Sequence, residues 1–206
     1  MHGCATMTSS VLIIGCGALG KELAESRRLN NWSHVTLRCL PAELHNRPEQ
    51  IVPAIRQVID SARSQFDHIF VAYADCGTGG ALDRMLAEFG IERLPGAHCY
   101  EFHAGSKPFA ELAEAEPGTF YLTDFLVRHF DPLVRRGLGL DRHPELMSAY
   151  FKNYRRLVYL SQAEDPALDG QARAHAEYLG LEYHRHRCGY GPFNRAISEQ
   201  IVRWQS

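Results

Sequence analysis

The chain has 206 residues, 45% of them apolar and 22% charged, with a formal net charge of −2. That length holds one sizeable core, so a single α/β domain over residues 1–206 is expected, with residues 1–9 disordered. The near-neutral charge gives no basis for nucleic acid or an anionic membrane surface as partner, and no run of about 18 apolar residues exists to span a bilayer.

Short β-rich runs alternate with longer helical patterns, the signature of a mostly parallel sheet with helices on both faces, built from repeated βαβ units. Strands are expected at 11–14, 35–40, 68–73, 91–94, 119–122, 157–160 and 181–184. Helical patterns occupy 18–29, 48–64, 81–89, 108–115, 125–136, 144–154, 166–179 and 194–204. Several boundaries carry local signals. Asp165 precedes Pro166 as a capping carboxylate, and Thr123 precedes Asp124 in the same role. Gly90 and Gly180 stop helices just before the next strand. The segments beginning VLIIGCG, IFVAYADCG and LVYLSQAED repeat weakly, which generic βαβ units also do.

The start of the chain lacks a basic region followed by an apolar stretch, so a cytoplasmic protein is expected. Its six cysteines then read as reduced thiols or metal ligands rather than disulfides. Three of them sit in turns: Cys16 in IIGCGALG, Cys76 in YADCGTGG and Cys99 in PGAHCYEF. Cys16 and Cys76 follow strands, and Cys99 follows a proline-glycine break. The carboxyl ends of parallel strands are where such folds converge their chemistry. Cys16, Cys76 and Cys99 are therefore candidate ligands of one thiophilic metal centre, an iron–sulfur cluster or otherwise zinc. The expected geometry is three sulfurs within roughly 7 Å, set by metal–sulfur bonds of about 2.3 Å around a multi-iron core.

Around these thiols lie proton-transfer candidates. Asp75 adjoins Cys76. Glu101 and His103 alternate with Cys99, so an extended segment puts all three on one face. Whether Cys188 or His45 joins the site stays open; Cys4 is expected to be disordered, and Cys39 to pack on the sheet.

Two further motifs compete. Gly15, Gly17 and Gly20 form G-x-G-x-x-G between a strand and a helix, the context of a dinucleotide turn. The next strand ends near Arg38 rather than an acid, so NADP is the dinucleotide it suits, and an NADP-linked oxidoreductase is the alternative function. Farther on, Arg142 beside His143 is the candidate grip for a small anionic substrate. Tyr150, Phe151 and Tyr154 at helical spacing read as core or as contact in a homo-oligomer.

The phrases GCGALGKEL, CLPAELHNRPE, YADCGTGGALDRML, LPGAHCYEF, EPGTFYLTDFL, RGLGLDRHPEL and YFKNYRRLVYL together resemble an uncharacterised family, domain of unknown function 1638. The resemblance implies a shared α/β fold. Its loose association with corrinoid-dependent one-carbon metabolism implies a third alternative, a non-catalytic accessory protein for a metal or corrinoid. The residues favour an enzyme, a lyase, transferase or oxidoreductase with an open metal position.

Overall fold

The structure, a computed structural model, describes residues 9–203. Cys4, the expected disorder of residues 1–8 and the end of the 194–204 helix lie outside that range.

All seven expected strands form, all parallel, and they divide into two sheets rather than one. The first has the order β2-β1-β3-β4, from β1 (Val11–Cys16), β2 (Val35–Leu40), β3 (His68–Ala72) and β4 (Glu92–Arg93). The second has the order β5-β6-β7, from β5 (Thr119–Thr123), β6 (Arg156–Ser161) and β7 (Glu182–Arg187). β1 reads VLIIGC without alternation because it is buried along its whole length between β2 and β3. Chain direction across the first sheet reverses at β1, since β2 lies on one side and β3 on the other. Ligands of open α/β sheets sit in the crevice beyond such a point.

Nine α-helices form among the described residues: α1 (Gly20–Leu29), α2 (Ile51–Ala62), α3 (Ala81–Ala87), α4 (Tyr100–Ala104), α5 (Ser106–Ala115), α6 (Asp124–Arg128), α7 (Leu146–Phe151), α8 (Pro166–Leu179) and α9 (Gly191–Arg203). The caps follow the local signals. The Asp165 carboxylate accepts from the amides of Ala167 and Leu168, the Thr123 hydroxyl accepts from Leu126, and Gly180 ends α8 at a φ of 68°.

Three stretches depart from the periodic pattern. The helix expected at 125–136 breaks after Arg128 and resumes as a wide turn at Asp131–Arg135. Pro132 accounts for the break, because its ring cannot continue the hydrogen-bond ladder. The 144–154 helix shortens to α7. Residues 100–104 coil into α4 instead of running extended, and that changes which side chains share a face.

Two cores result. The larger surrounds the first sheet and includes Phe193, Ile197 and Ile201 from α9, the helix that follows the last strand of the other sheet. The smaller core lies on the second sheet against α8. Polar clasps also join the halves: Gln162 Nε2 donates to Glu22 Oε1 at 3.0 Å, and Asn46 Nδ2 donates to the Leu133 carbonyl at 2.9 Å.

Candidate metal centre

Each strand of the first sheet hands one sulfur or nitrogen to the same place. Cys16 is the last residue of β1. His45 lies in the short 3-10 turn Ala42–Asn46 that follows β2. Cys76 lies in the turn after β3, and Cys99 precedes α4 after β4.

The turn after β3 is built around Asp75. Its carboxylate accepts from the Thr78 hydroxyl at 2.7 Å and from the amides of Gly79 at 3.1 Å and Gly80 at 2.8 Å. These bonds, the one from Gly80 foremost, hold its carboxyl below the usual range. Cys76 adopts a φ of 49°, rare for a residue with a side chain. Its amide donates to the Ala97 carbonyl at 2.9 Å, and the Asp75 amide donates to Gly96 at 3.2 Å. The loops after β3 and β4 are thereby zipped together, which carries Cys76 to Cys99.

The ring of His45 is the hub. Its Nδ1 lies 3.8 Å from Cys16 Sγ and its Nε2 lies 4.0 Å from Cys99 Sγ. One ligand atom from each of His45, Cys76 and Cys99 can be chosen so that all lie within 4.8 Å of one another. Cys16, Cys76 and Cys99 are all buried.

In the metal-free protein these groups share protons unequally. A hydrogen bond from the Cys99 thiol lowers Cys76 most; burial opposes this, and His45 adds to the lowering, bringing the thiol down to about 5. The Cys99 thiol, as donor in that bond and wholly buried, rises well above its ordinary value. Burial disfavours a charged His45, but its bonds to Cys16 and Cys76 outweigh burial and raise it to about 10.

α4 sets the remaining candidates. One turn of helix separates Cys99 from His103, whereas Glu101 points away: its carboxylate lies against Gly96, at a φ of 92°. The shared face of Cys99, Glu101 and His103 expected of an extended strand is therefore corrected to Cys99 and His103 alone. His103 is buried, stacks on Phe193 with ring centroids 5.9 Å apart, and has no partner on either ring nitrogen. Burial lowers it to about 4, so the ring is neutral at pH 7.

Beside the cluster lies a cavity of about 290 Å³, whose lining includes His45, Cys99, His103, Phe120, Phe151 and Tyr154. Tyr150 lines it as well, so the aromatic trio of the sequence faces this space.

The other sequence candidates lie elsewhere. Arg142 is 76% exposed beside Asp141 and is absent from the cavity wall. Cys188 ends up with the second sheet, where its thiol donates to the Ser161 carbonyl at 3.3 Å and burial pushes it up to about 12. Cys39, on the edge strand β2, is exposed, with its sulfur lying over Gly15 of β1 and Gly20 of α1. A Cβ on Gly15 would lie 2.5 Å from Leu23 Cδ1, and one on Gly17 would lie 2.9 Å from the Leu40 carbonyl. Those glycines answer to close packing of β1 against α1 and the β2 loop. Arg38 lies in β2 opposite Ile14 of β1.

His45 is the member of this cluster that spacing alone did not select. Its signal was present but weak: a histidine five residues beyond a strand end, before an Asn-Arg-Pro break.

Fold and cluster define an α/β protein with thiols and an imidazole gathered at the strand ends of one sheet. The chain belongs to the family described as protein of unknown function (DUF1638), whose model matches residues 39–197. His45, Cys76 and Cys99 fall inside that match, and Cys16 precedes it. No curated protein and no solved structure matches the chain.

Proposed function

We propose that the protein is a metalloprotein whose His45, Cys76 and Cys99 hold one thiophilic metal ion, with Cys16 orienting the histidine. The supporting observation is the compactness of that donor set, all within 4.8 Å. Tetrahedral bonds of about 2.3 Å to sulfur and about 2.0 Å to nitrogen place neighbouring donors at roughly 3.6 Å, so small side-chain adjustments would close the shell. A multi-iron core spreads its thiolates wider. The spacing therefore favours a single ion, zinc first, over a cluster. Thiolates with imidazole suit zinc or another soft ion and not magnesium or calcium.

Cys16 fits the outer role. With Nδ1–H pointing at Cys16, Nε2 is left with its lone pair toward Cys99 and the ion. Two thiolates and one imidazole leave a fourth position, the pattern of catalytic rather than structural zinc. Since His45 and Cys99 both line the cavity, that position would face it. An ion there supplies Lewis-acid polarisation of a bound oxygen or sulfur. A non-catalytic carrier would hold the same ion but find no use for the cavity.

The Cys76 thiol carries a second reading. A thiol lowered to about 5 beside His45, on a turn with a φ of 49°, is also how a cysteine nucleophile is presented.

One experiment separates the two: protein purified anaerobically is analysed for metal and sulfide, then titrated with zinc while cysteine alkylation is followed. The metal reading expects about one equivalent of metal, no sulfide, and protection of Cys76 by zinc. Protein that never takes up metal, and whose Cys76 alkylates equally with and without zinc, leaves only the nucleophile.

A further inference from the structure

The 290 Å³ cavity joins two chemistries. Most of its wall is aliphatic or aromatic, with Leu126, Leu133, Val134 and Leu138 beside Phe120 and Phe151, and no lysine, arginine, aspartate or glutamate lines it. Two of its polar members are already engaged. Asn46 Nδ2 donates to the Leu133 carbonyl, and the Thr123 hydroxyl accepts from the Leu126 amide. Both ring nitrogens of His103 are enclosed, so His103 offers an occupant no hydrogen bond. Tyr150 and Tyr154 are 48% and 37% exposed, and the cavity meets solvent beside them. His45 and Cys99 also line it, and both belong to the proposed donor set.

An occupant therefore needs an apolar body for the wall and one donor atom for the ion. The volume sets the size of the body: an engineered cavity of about 150 Å³ holds benzene, so roughly twice that holds one ring with a short chain. The site selects the donor. A centre of two thiolates and an imidazole is soft, and sulfur suits it better than a hydroxyl or carboxylate oxygen. A thiol with an ordinary pKa of about 8.5 crosses the apolar wall uncharged at pH 7, whereas a carboxylate would have to shed its hydration on the way. On binding, the S–H bond breaks, the metal–sulfur bond forms, and the proton and the displaced water leave to solvent.

We propose that the site takes small apolar thiols, with the sulfur as fourth ligand of the ion and a body of about one ring and a short chain filling the cavity. The inference rests on the metal-centre reading, to which it adds the class of molecule that occupies the open position.

The test loads the protein with cobalt(II) in place of zinc, because cobalt absorption reports the atoms that bond it. Four probes are titrated anaerobically at pH 7: 2-phenylethanethiol, ethanethiol, 2-phenylethanol and ethylbenzene. 2-Phenylethanethiol is expected to bind about tenfold or more tighter than each of the others, since even one methylene in a hydrophobic pocket is worth about tenfold. It should also bring a new sulfur-to-cobalt charge-transfer band. Leu138→Trp, which fills the apolar wall away from the donor set, is expected to weaken 2-phenylethanethiol about tenfold and to leave ethanethiol unchanged. Ethanethiol binding as tightly as 2-phenylethanethiol overturns the proposal, because the cavity would then not select the body. Ethylbenzene or 2-phenylethanol binding as tightly overturns it too, because the ion would not be reading the sulfur. Cobalt stripped from the protein by the thiol likewise overturns it, since the centre would have no open position. These wild-type comparisons decide even if the variant does not fold. Protein that takes up no cobalt overturns the metal centre and this inference together, whereas cobalt uptake without preference among the probes overturns this inference alone.

Discussion

The sulfur of Cys76 and the ring of His45 exchange a proton in the folded metal-free protein, and that exchange has a pH signature. Cys76 is lowered from 9.0 to about 5, so its stabilising contribution is present above the unfolded value and lost as pH falls through 5. His45 is raised from 6.5 to about 10, so its contribution is complete below 6.5 and lost as pH rises through 10. Between about 6.5 and 9 the rising Cys76 contribution and the falling His45 contribution offset each other. The melting temperature of chelator-treated wild type, minus that of Cys76→Ser, is therefore expected to peak as a plateau over that window and to decline on both sides. A difference that does not vary with pH would refute the pairing. Cys16, Cys76 and Cys99 were legible in the sequence because each marks a strand-end turn. His45 was legible only as an open candidate beside Cys188, because a single histidine in a 3-10 turn carries no periodicity. Glu101 misled for a different reason: alternation assigns it to the Cys99 face only if the segment is extended, and α4 turns it toward Gly96.

Among the elements, the turn after β3 has the most exacting construction. Asp75 looked like a proton carrier from its place beside Cys76, yet its oxygens are taken by Thr78, Gly79 and Gly80. Removing them frees the turn that holds Cys76 at a positive φ. Asp75→Ala is expected to cost about 2 kcal/mol in urea denaturation, the scale of several lost hydrogen bonds to a charged acceptor. Zinc affinity should fall about 10- to 100-fold though no ligand has changed, as for outer-shell partners generally. Unchanged affinity would show that the turn does not position Cys76. The strands themselves were readable, all seven of them: β1, β3 and β6, inside their sheets, as apolar runs like VLIIG, and edge strands such as VTLRCL and EYHRHR by their place between helical patterns. Their division into two sheets was not, because each run specifies that it is buried and not which neighbour it pairs with. The break after Arg128 had its cause in plain view at Pro132, but the apolar spacing on either side continued across it.

At the scale of the whole molecule, α9 decides how the two sheets behave. It leaves the second sheet after β7 and inserts Phe193, Ile197 and Ile201 into the core of the first. Phe193 is 1% exposed and also forms the floor under His103. Phe193→Ala is expected to cost about 3–5 kcal/mol, the usual toll for a buried phenylalanine. Its effect should be felt in both halves: denaturation followed by tryptophan fluorescence and by far-UV circular dichroism is expected to stay coincident in wild type and to shift together in the variant. Two separated transitions in wild type would show that the sheets unfold independently. For the whole molecule, no helix among the described residues is long and apolar enough to cross a membrane.

His45 and Cys99 stand 54 residues apart in the chain, yet their side chains meet. An ion bonded to both would act as a reversible cross-link, closing that span into a ring that contains all of β3 and β4. The unfolded chain would lose the freedom that an open segment of that length enjoys, as it does with a disulfide. Metal supply would then govern how long each molecule survives as well as what it can do.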